Sequence, residues 1–204
     1  MSQDVVILGG ARTAMAEYVG AFKDVSALEL GAVAARAALE RTGVQPGWIE
    51  HVVMGNALQT SADAIYGARH VGLKAGVPVE VPALTVNRLC GSGIQSVVSA
   101  AQMIRLGEAR IVLAGGMENM TQAPHVIRGA RAGFRLGEGK LEDTLMAALL
   151  DTHCGLYIAQ TSTTSHGGMR SPARRWTPTP SGARRPRPRP SSAVCSRRRS
   201  PPWT

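Results

Sequence analysis

Cysteine is scarce in this chain. Cys90, Cys154 and Cys195 are the 3 in 204 residues, too few and too scattered for a disulfide framework or a zinc ribbon. A reducing, cytoplasmic setting is the expectation that follows. Long apolar runs are absent as well: none reaches the roughly 18 to 20 residues that cross a bilayer, so no membrane partner is expected. The opening residues MSQDVVILGG carry no basic segment ahead of a short apolar run, which argues against a secretory signal. What the chain does have is apolar content, 44% with a mean hydropathy of −0.02, enough for one good-sized core.

Acidic residues are missing from one stretch entirely. The formal charge is +9, but residues 1–161 hold 13 Lys/Arg against 14 Asp/Glu, a net of −1, while residues 162–204 hold 10 arginines and no acid. The average therefore describes neither part: a near-neutral globular segment precedes a short basic tail. The tail contains 8 Pro and 13 Ser/Thr, and its one Leu, Ile, Val or Phe is Val194. It cannot bury enough surface to offset chain entropy and reads as disordered.

Residues 1–161 alternate strand and helix signals. Val5-Val6-Ile7-Leu8, ended by Gly9-Gly10, reads as a buried strand. Ser26 followed by Glu29 is a capping-box pattern, and Leu30, Val33, Ala34, Ala37 and Ala38 then keep helical spacing up to a stop at Gly43. Further strands are read at His51 to Met54 with Gly55, at Ala83 to Val86, and at Ile111 to Ala114 with Gly115-Gly116. Tyr66 to Ala75 and Ser92 to Leu106 read as helices, the second stopped by Gly107. Beyond Thr121 the pattern loosens around Gly129, Gly133, Gly137 and Gly139. There Leu141 to Leu150 reads as a helix, and Asp151 to Tyr157 as a turn leading into another. Such alternation predicts an α/β fold, a mixed, mainly parallel sheet covered by helices. Ligand chemistry in these sheets sits beyond the carboxyl ends of the strands.

One residue at such an end carries chemistry. Val86-Asn-Arg-Leu-Cys90-Gly-Ser-Gly93 ends a strand with a cysteine and opens a helix through small residues. That is the layout of a nucleophile elbow, in which a reactive side chain stands on a sharp strand-to-helix turn. The helix N-terminus offers free N–H groups and a partial positive charge, which favour a thiolate and can hold a developing oxyanion. A buried core cysteine is the plainer alternative for the same residues.

The wider text, Asn87-Arg-Leu-Cys90-Gly-Ser-Gly-Ile-Gln-Ser96-Val97 with Ile104, resembles the acyl-cysteine signature of the thiolases. Gly10-Ala-Arg-Thr13, Phe22-Lys-Asp-Val25, Val53-Met-Gly-Asn56 with Leu58-Gln59, Gly115-Gly-Met-Glu-Asn-Met120 and Asp151 to Gln160 agree in order and spacing. The resemblance runs from about Val5 to Thr161. It implies the N-terminal half of a thiolase fold over residues 1–120 and the start of the CoA-covering loop region over residues 121–161.

Thiolases make or cleave 3-ketoacyl-CoA through an acyl-cysteine intermediate, as acetyl-CoA C-acetyltransferases or 3-ketoacyl-CoA thiolases. The resemblance implies Cys90 as the nucleophile, with its backbone N–H in the oxyanion hole. It implies CoA thioesters as substrates and no bound cofactor or metal. Acyl-CoA and CoA are the implied partners, together with a homotetramer for the intact family. Leu149 and Tyr157 match positions that line the pantetheine and acyl pocket. A related subgroup has histidine at the second of these, and plain helix packing is the alternative for Leu149.

The family's remaining catalytic groups are an Asn, a Gly-His-Pro histidine and a second cysteine in Cys-x-Gly-Gly-Gly, and nothing in this text matches them. His125 and His166 sit in other contexts, Cys195 matches nothing, Cys154 aligns with a loop position, and His51 and His70 read as structural or surface residues. Turnover by this chain is therefore not expected. After Thr161 the resemblance stops. Back-translating from the third base of the Ser162 codon, with permitted codons, yields HDLAWRYAITRAEVDAYAL, a thiolase-like continuation; residues 162–204 are accordingly expected to be a frameshifted tail.

Two other readings are open. A ketoacyl synthase also places a cysteine at a strand-to-helix turn. A nucleic-acid-binding protein could use the ten tail arginines on phosphates and Trp176 and Trp203 on bases. The tail has no recognition motif, so no specific nucleic-acid partner is expected.

Overall fold

The computed structural model describes residues 4–160 other than 135 and 138. The tail 162–204, with Cys195 and His166, lies outside them.

The core is a three-stranded parallel sheet. Strand β1 (His51–Gly55) is central, flanked by β2 (Ala83–Val86) and β3 (Val112–Gly116), in the order β2-β1-β3. Val53 stands between Leu84 and Ala114, which sets the register on both sides. Val52, Val53 and Met54 are all buried, so this central strand is covered on both faces.

Helix α1 (Ala27–Thr42) starts and stops where the sequence places it. Ser26 Oγ accepts the Glu29 N–H, and Gly43 closes the helix at φ +69°. The reciprocal half of the capping box does not form, because the Glu29 carboxylate pairs with Lys74 instead. The buried stripe is also offset from the expected one. Leu28, Gly31, Ala32, Ala35 and Leu39 face inward, whereas Val33 is exposed. Helix α2 (Gly67–Lys74) packs against α1, and Val71 and Ala68 close that layer over β1 and β2.

Helix α3 (Ser92–Leu106) packs on β1 and β3. It connects β2 to β3 across β1, in the opposite sense to the α2 connection, so right-handed crossovers put it on the other face. Only Ser92, Ser96 and Ala100 of α3 are buried; Ile94, Val97 and Val98 look into solvent.

The expected first strand is a correction. Among the described residues Val5 to Leu8 forms no strand and pairs with none, and Val6, Ile7 and Leu8 are exposed. Among the described residues the outer edge of β3 has no strand beside it either. Between the two lies a cavity of about 460 Å³, lined on one side by Asp4 to Ala11 and on the other by Val112 to Gly116. A β-branched apolar run needs a neighbouring edge for its N–H and C=O groups, and here the cavity occupies that place.

The expected helix from Leu141 to Leu150 is a second correction. Strand β5 (Leu141–Asp143) pairs antiparallel with β4 (His125–Ile127), and helix α4 (Thr144–Leu149) begins only afterwards. Asp143 divides them, since its carboxylate caps the Leu145 N–H at 2.8 Å. Strands β6 (Leu150–Asp151) and β7 (Leu156–Tyr157) then close the expected turn as a small antiparallel pair.

The β4–β5 hairpin carries a fork between Arg128 and Glu142, with Nε at 3.0 Å and Nη2 at 2.5 Å from Oε1. The Arg128 side-chain hydrogen bond holds the Glu142 carboxyl below its usual 4.5. A carboxyl whose folded value is depressed adds stability above its unfolded value, and that stability is lost as pH falls through the folded value. Amide protection across β4 and β5 is therefore expected to be full at pH 5 and to fall as the pH drops below about 4.5. Arg128→Gln should flatten this dependence. Amide exchange measured along the hairpin checks it, and the size is modest because the pair is solvent-screened.

Candidate active site

The carboxyl ends of β1, β2 and β3 converge on Cys90. Strand β2 ends at Val86, and Asn87 to Gly91 form the turn that leads into α3. Cys90 is exposed and in no disulfide among the described residues, so the buried-core alternative fails. Gly91 is the residue before α3, and the Gln95 N–H already bonds back to its carbonyl at 2.8 Å.

The turn is strained at one residue. Leu89, directly before Cys90, holds φ +49°, a left-handed backbone that costs a non-glycine residue about 1–3 kcal/mol. Such a conformation persists only where the surroundings over-determine it, and here they do. Asn87 Oδ1 accepts the Leu89 N–H at 2.9 Å. Ser92 Oγ accepts the Arg88 N–H at 2.9 Å and donates to the Leu89 carbonyl at 2.6 Å. The effect is to lift Cys90 out at the mouth of α3.

The floor beneath the turn is built from glycine. The last residue of β1, Gly55, meets the first turn of α3 so closely that a Cβ there would lie 2.5 Å from the Ser92 carbonyl carbon. At the end of β3, Gly116 lies beside Gly93 with room to spare: a Cβ there would meet its Cα at 3.5 Å, an ordinary van der Waals contact. The turn after β1 is held by an acid from the loop after β3. Glu118 accepts the N–H groups of Ala57 at 2.8 Å and Leu58 at 3.0 Å, and Asn56 Nδ2 at 3.1 Å. Burial pushes the Glu118 carboxyl up, and the Ala57 and Leu58 N–H groups pull it partly back. Asn119 fastens the preceding Phe22–Val25 turn, donating to the carbonyls of both ends at 2.9 and 2.7 Å.

Glu118, Asn56, Asn87 and Ser92 carry no assigned role in the sequence reading. An acid two residues past the Gly115-Gly116 that ends an apolar strand is the available signal for Glu118.

Leu149 ends α4 and Tyr157 sits on β7, both partly exposed. Neither lines the 460 Å³ cavity or a second, polar one of about 690 Å³ between Asn56, Tyr66, Arg69 and Asn87. Among the histidines, His51 bonds its neighbour's carbonyl within β1, and His70 stacks on Tyr66 beside Asp63, so both are structural. His125 is exposed on β4. Among the described residues no cluster of His, Cys, Asp and Glu could hold a metal. None of the described helices is long and apolar enough to cross a membrane.

Comparison with known proteins places this arrangement. The family description "Thiolase, N-terminal domain" matches residues 5–167, a few residues past Thr161, where the resemblance in the sequence stops. Human mitochondrial 3-ketoacyl-CoA thiolase is 50% identical over 159 residues, 78% of this chain and 40% of the relative. An acetyl-CoA acetyltransferase of Cupriavidus necator is 50% identical over 143 residues, 70% of this chain and 36% of the relative. The crystal structure of human mitochondrial 3-ketoacyl-CoA thiolase superposes with a TM-score of 0.77 at 48% identity, covering 78% of this chain and 41% of that one; the same enzyme in complex with CoA superposes equally well. The chain thus spans about 40% of the length of these relatives. Between the two condensing-enzyme readings the match selects one, and the chain belongs to the thiolase family through its N-terminal domain.

Proposed function

We propose that this chain supplies the acyl-accepting half of a thiolase, with Cys90 as the nucleophile. The observation that carries the reading is the seat of Cys90: exposed, on a strained turn, at the mouth of a fifteen-residue helix. The Cys90 thiolate forms a bond to the carbonyl carbon of an acyl-CoA. The bond from that carbon to the CoA sulfur breaks, and CoA leaves and takes up a proton. The negative charge that gathers on the carbonyl oxygen meets the Cys90 N–H and the positive end of α3.

The substrates are CoA thioesters, acetyl-CoA or a 3-ketoacyl-CoA, in keeping with the names of the relatives. Leu149 and Tyr157 are proposed to line the pantetheine and acyl portion. Claisen condensation or thiolysis needs acid–base groups that the described residues do not include. In the complete enzyme those groups and the tetramer belong to the remaining length. A cytoplasmic setting suits a free thiol that must stay reduced.

The test is stoichiometric. The 204-residue chain is mixed with acetyl-CoA and its peptides are read by mass spectrometry. An acetyl group on Cys90 and none on exposed Cys154 is the expected result. No label on Cys90, or equal labelling of both, overturns the reading.

A further inference from the structure

Two parts of the site are separately secured, and one side chain joins them. Glu118 holds the Asn56–Leu58 turn through three N–H donors. The carbonyl of Ala57 in that turn accepts Asn87 Nδ2 at 3.0 Å. The other atom of the same amide, Asn87 Oδ1, accepts the N–H of Leu89. Three links thus run unbroken from the loop after β3, through the end of β1, to the residue whose backbone aims Cys90.

We propose that Glu118 is a positioning residue for Cys90: it fixes the Asn56–Leu58 turn, and Asn87 passes that register to the left-handed Leu89. The inference rests on the nucleophile reading for its purpose, although the coupling itself is a property of the fold.

Three features support it. Glu118 has no Lys or Arg partner among the described residues, so its ligands are N–H groups alone. A partly buried carboxyl in such a place is poorly solvated, so it depends on those three N–H groups, and its geometry follows theirs. The turn it grips is welded to the sheet on both sides: Asn56 N–H bonds the Val86 carbonyl, and Asn56 Nδ2 bonds the Met117 carbonyl. A displacement at Glu118 therefore reaches β2, and with it the elbow, through short polar links rather than through soft packing.

The chemistry distinguishes the variants. In Glu118→Gln one oxygen becomes an NH₂ group, which faces N–H donors it cannot accept from. In Asn87→Asp the acceptor for Leu89 is kept, while the donor to Ala57 is replaced by an oxygen facing an oxygen. Both cut the same chain at different links. If the chain is one unit, cutting it twice adds nothing.

The experiment measures alkylation of Cys90 by iodoacetamide in the full chain, with Cys154 in the same molecules as the internal reference. Four proteins are compared: wild type, each single variant and the double variant. Each single variant is expected to shift the Cys90 to Cys154 rate ratio at least threefold and to slow Cys90 acetylation by acetyl-CoA at least tenfold. The double variant should go no further than the worse single one. Ratios within 1.5-fold of wild type, or effects that multiply in the double variant, overturn the proposal. Should Glu118→Gln not fold, Asn87→Asp alone decides by the same ratio. Absence of acetylation in the wild type sinks the nucleophile reading but leaves the iodoacetamide ratios to judge the coupling.

Discussion

Cys90→Ser is expected to abolish acyl transfer to this chain, lowering the rate of covalent acetylation by at least about a thousandfold. The substitution changes one atom on an exposed residue, so the fold has no reason to respond. The reaction does. A hydroxyl is protonated at neutral pH and is a poor nucleophile unless a base takes its proton. None of the four described histidines hydrogen-bonds Cys90: His51 and His70 are engaged within their own elements, His125 lies on the β4–β5 hairpin, and His153 lies in the turn between β6 and β7. A thiol reaches its anionic form without such help. Cys154→Ser serves as the control and should leave acetylation unchanged. Intact-protein mass spectrometry over a time course with acetyl-CoA reads both. Retained acetylation in Cys90→Ser would move the acceptor elsewhere.

Gly55→Ala is expected to cost about 3 kcal/mol of stability, at the upper end of what overpacking imposes. The new Cβ would stand 2.5 Å from the carbonyl carbon of Ser92, 2.6 Å from its oxygen and 2.8 Å from the nitrogen of Gly93. All three are backbone atoms, so no rotamer relieves the clash. Either β1 leaves its register with two neighbours or the first turn of α3 lifts off the sheet. In urea the midpoint should fall while the slope stays as in the wild type, because the surface exposed on unfolding is unchanged. The melting temperature should drop by about 6–12 °C for a domain of this size. Acetylation of Cys90 should slow as well, since the lifted turn is the one that begins two residues after it. A loss below about 0.5 kcal/mol would mean that the approach of β1 and α3 is looser than this geometry.

How much of this was legible beforehand depends on whether the signal was local. Helix α3 and its stop at Gly107, the cap at Ser26, the strand Ala83–Val86 and the elbow at Cys90 all rest on neighbours within a few residues, and all are found as read. Val5 to Leu8 was misread because a strand is half of a pair: its residues have the right shape, but the partner edge is a property of the whole sheet. The stretch from Leu141 was misread for a smaller reason. Asp143 stands just ahead of the apolar run Leu145 to Leu150 and caps the helix there, so the helix begins later than Leu141. Glu118 is visible as an acid in the Gly115 to Met120 segment, but its contacts are not. Its three donors lie about sixty residues upstream, and no periodicity reports a contact of that length.

The cavity beside β3 also has a meaning in time. Strand β1 is bonded along both edges, so its amides are released only when the sheet itself opens. The outer amides of β3 face the hollow, and small fluctuations of the segment from Asp4 to Ala11 suffice to let water reach them. Hydrogen exchange should therefore be slowest at Val52 to Met54 and much faster on alternate amides of Val112 to Gly116. The sheet has a slow centre and a fast flank, and the turn that carries Glu118 hangs from the fast one, tied back to the slow centre by the N–H groups it holds.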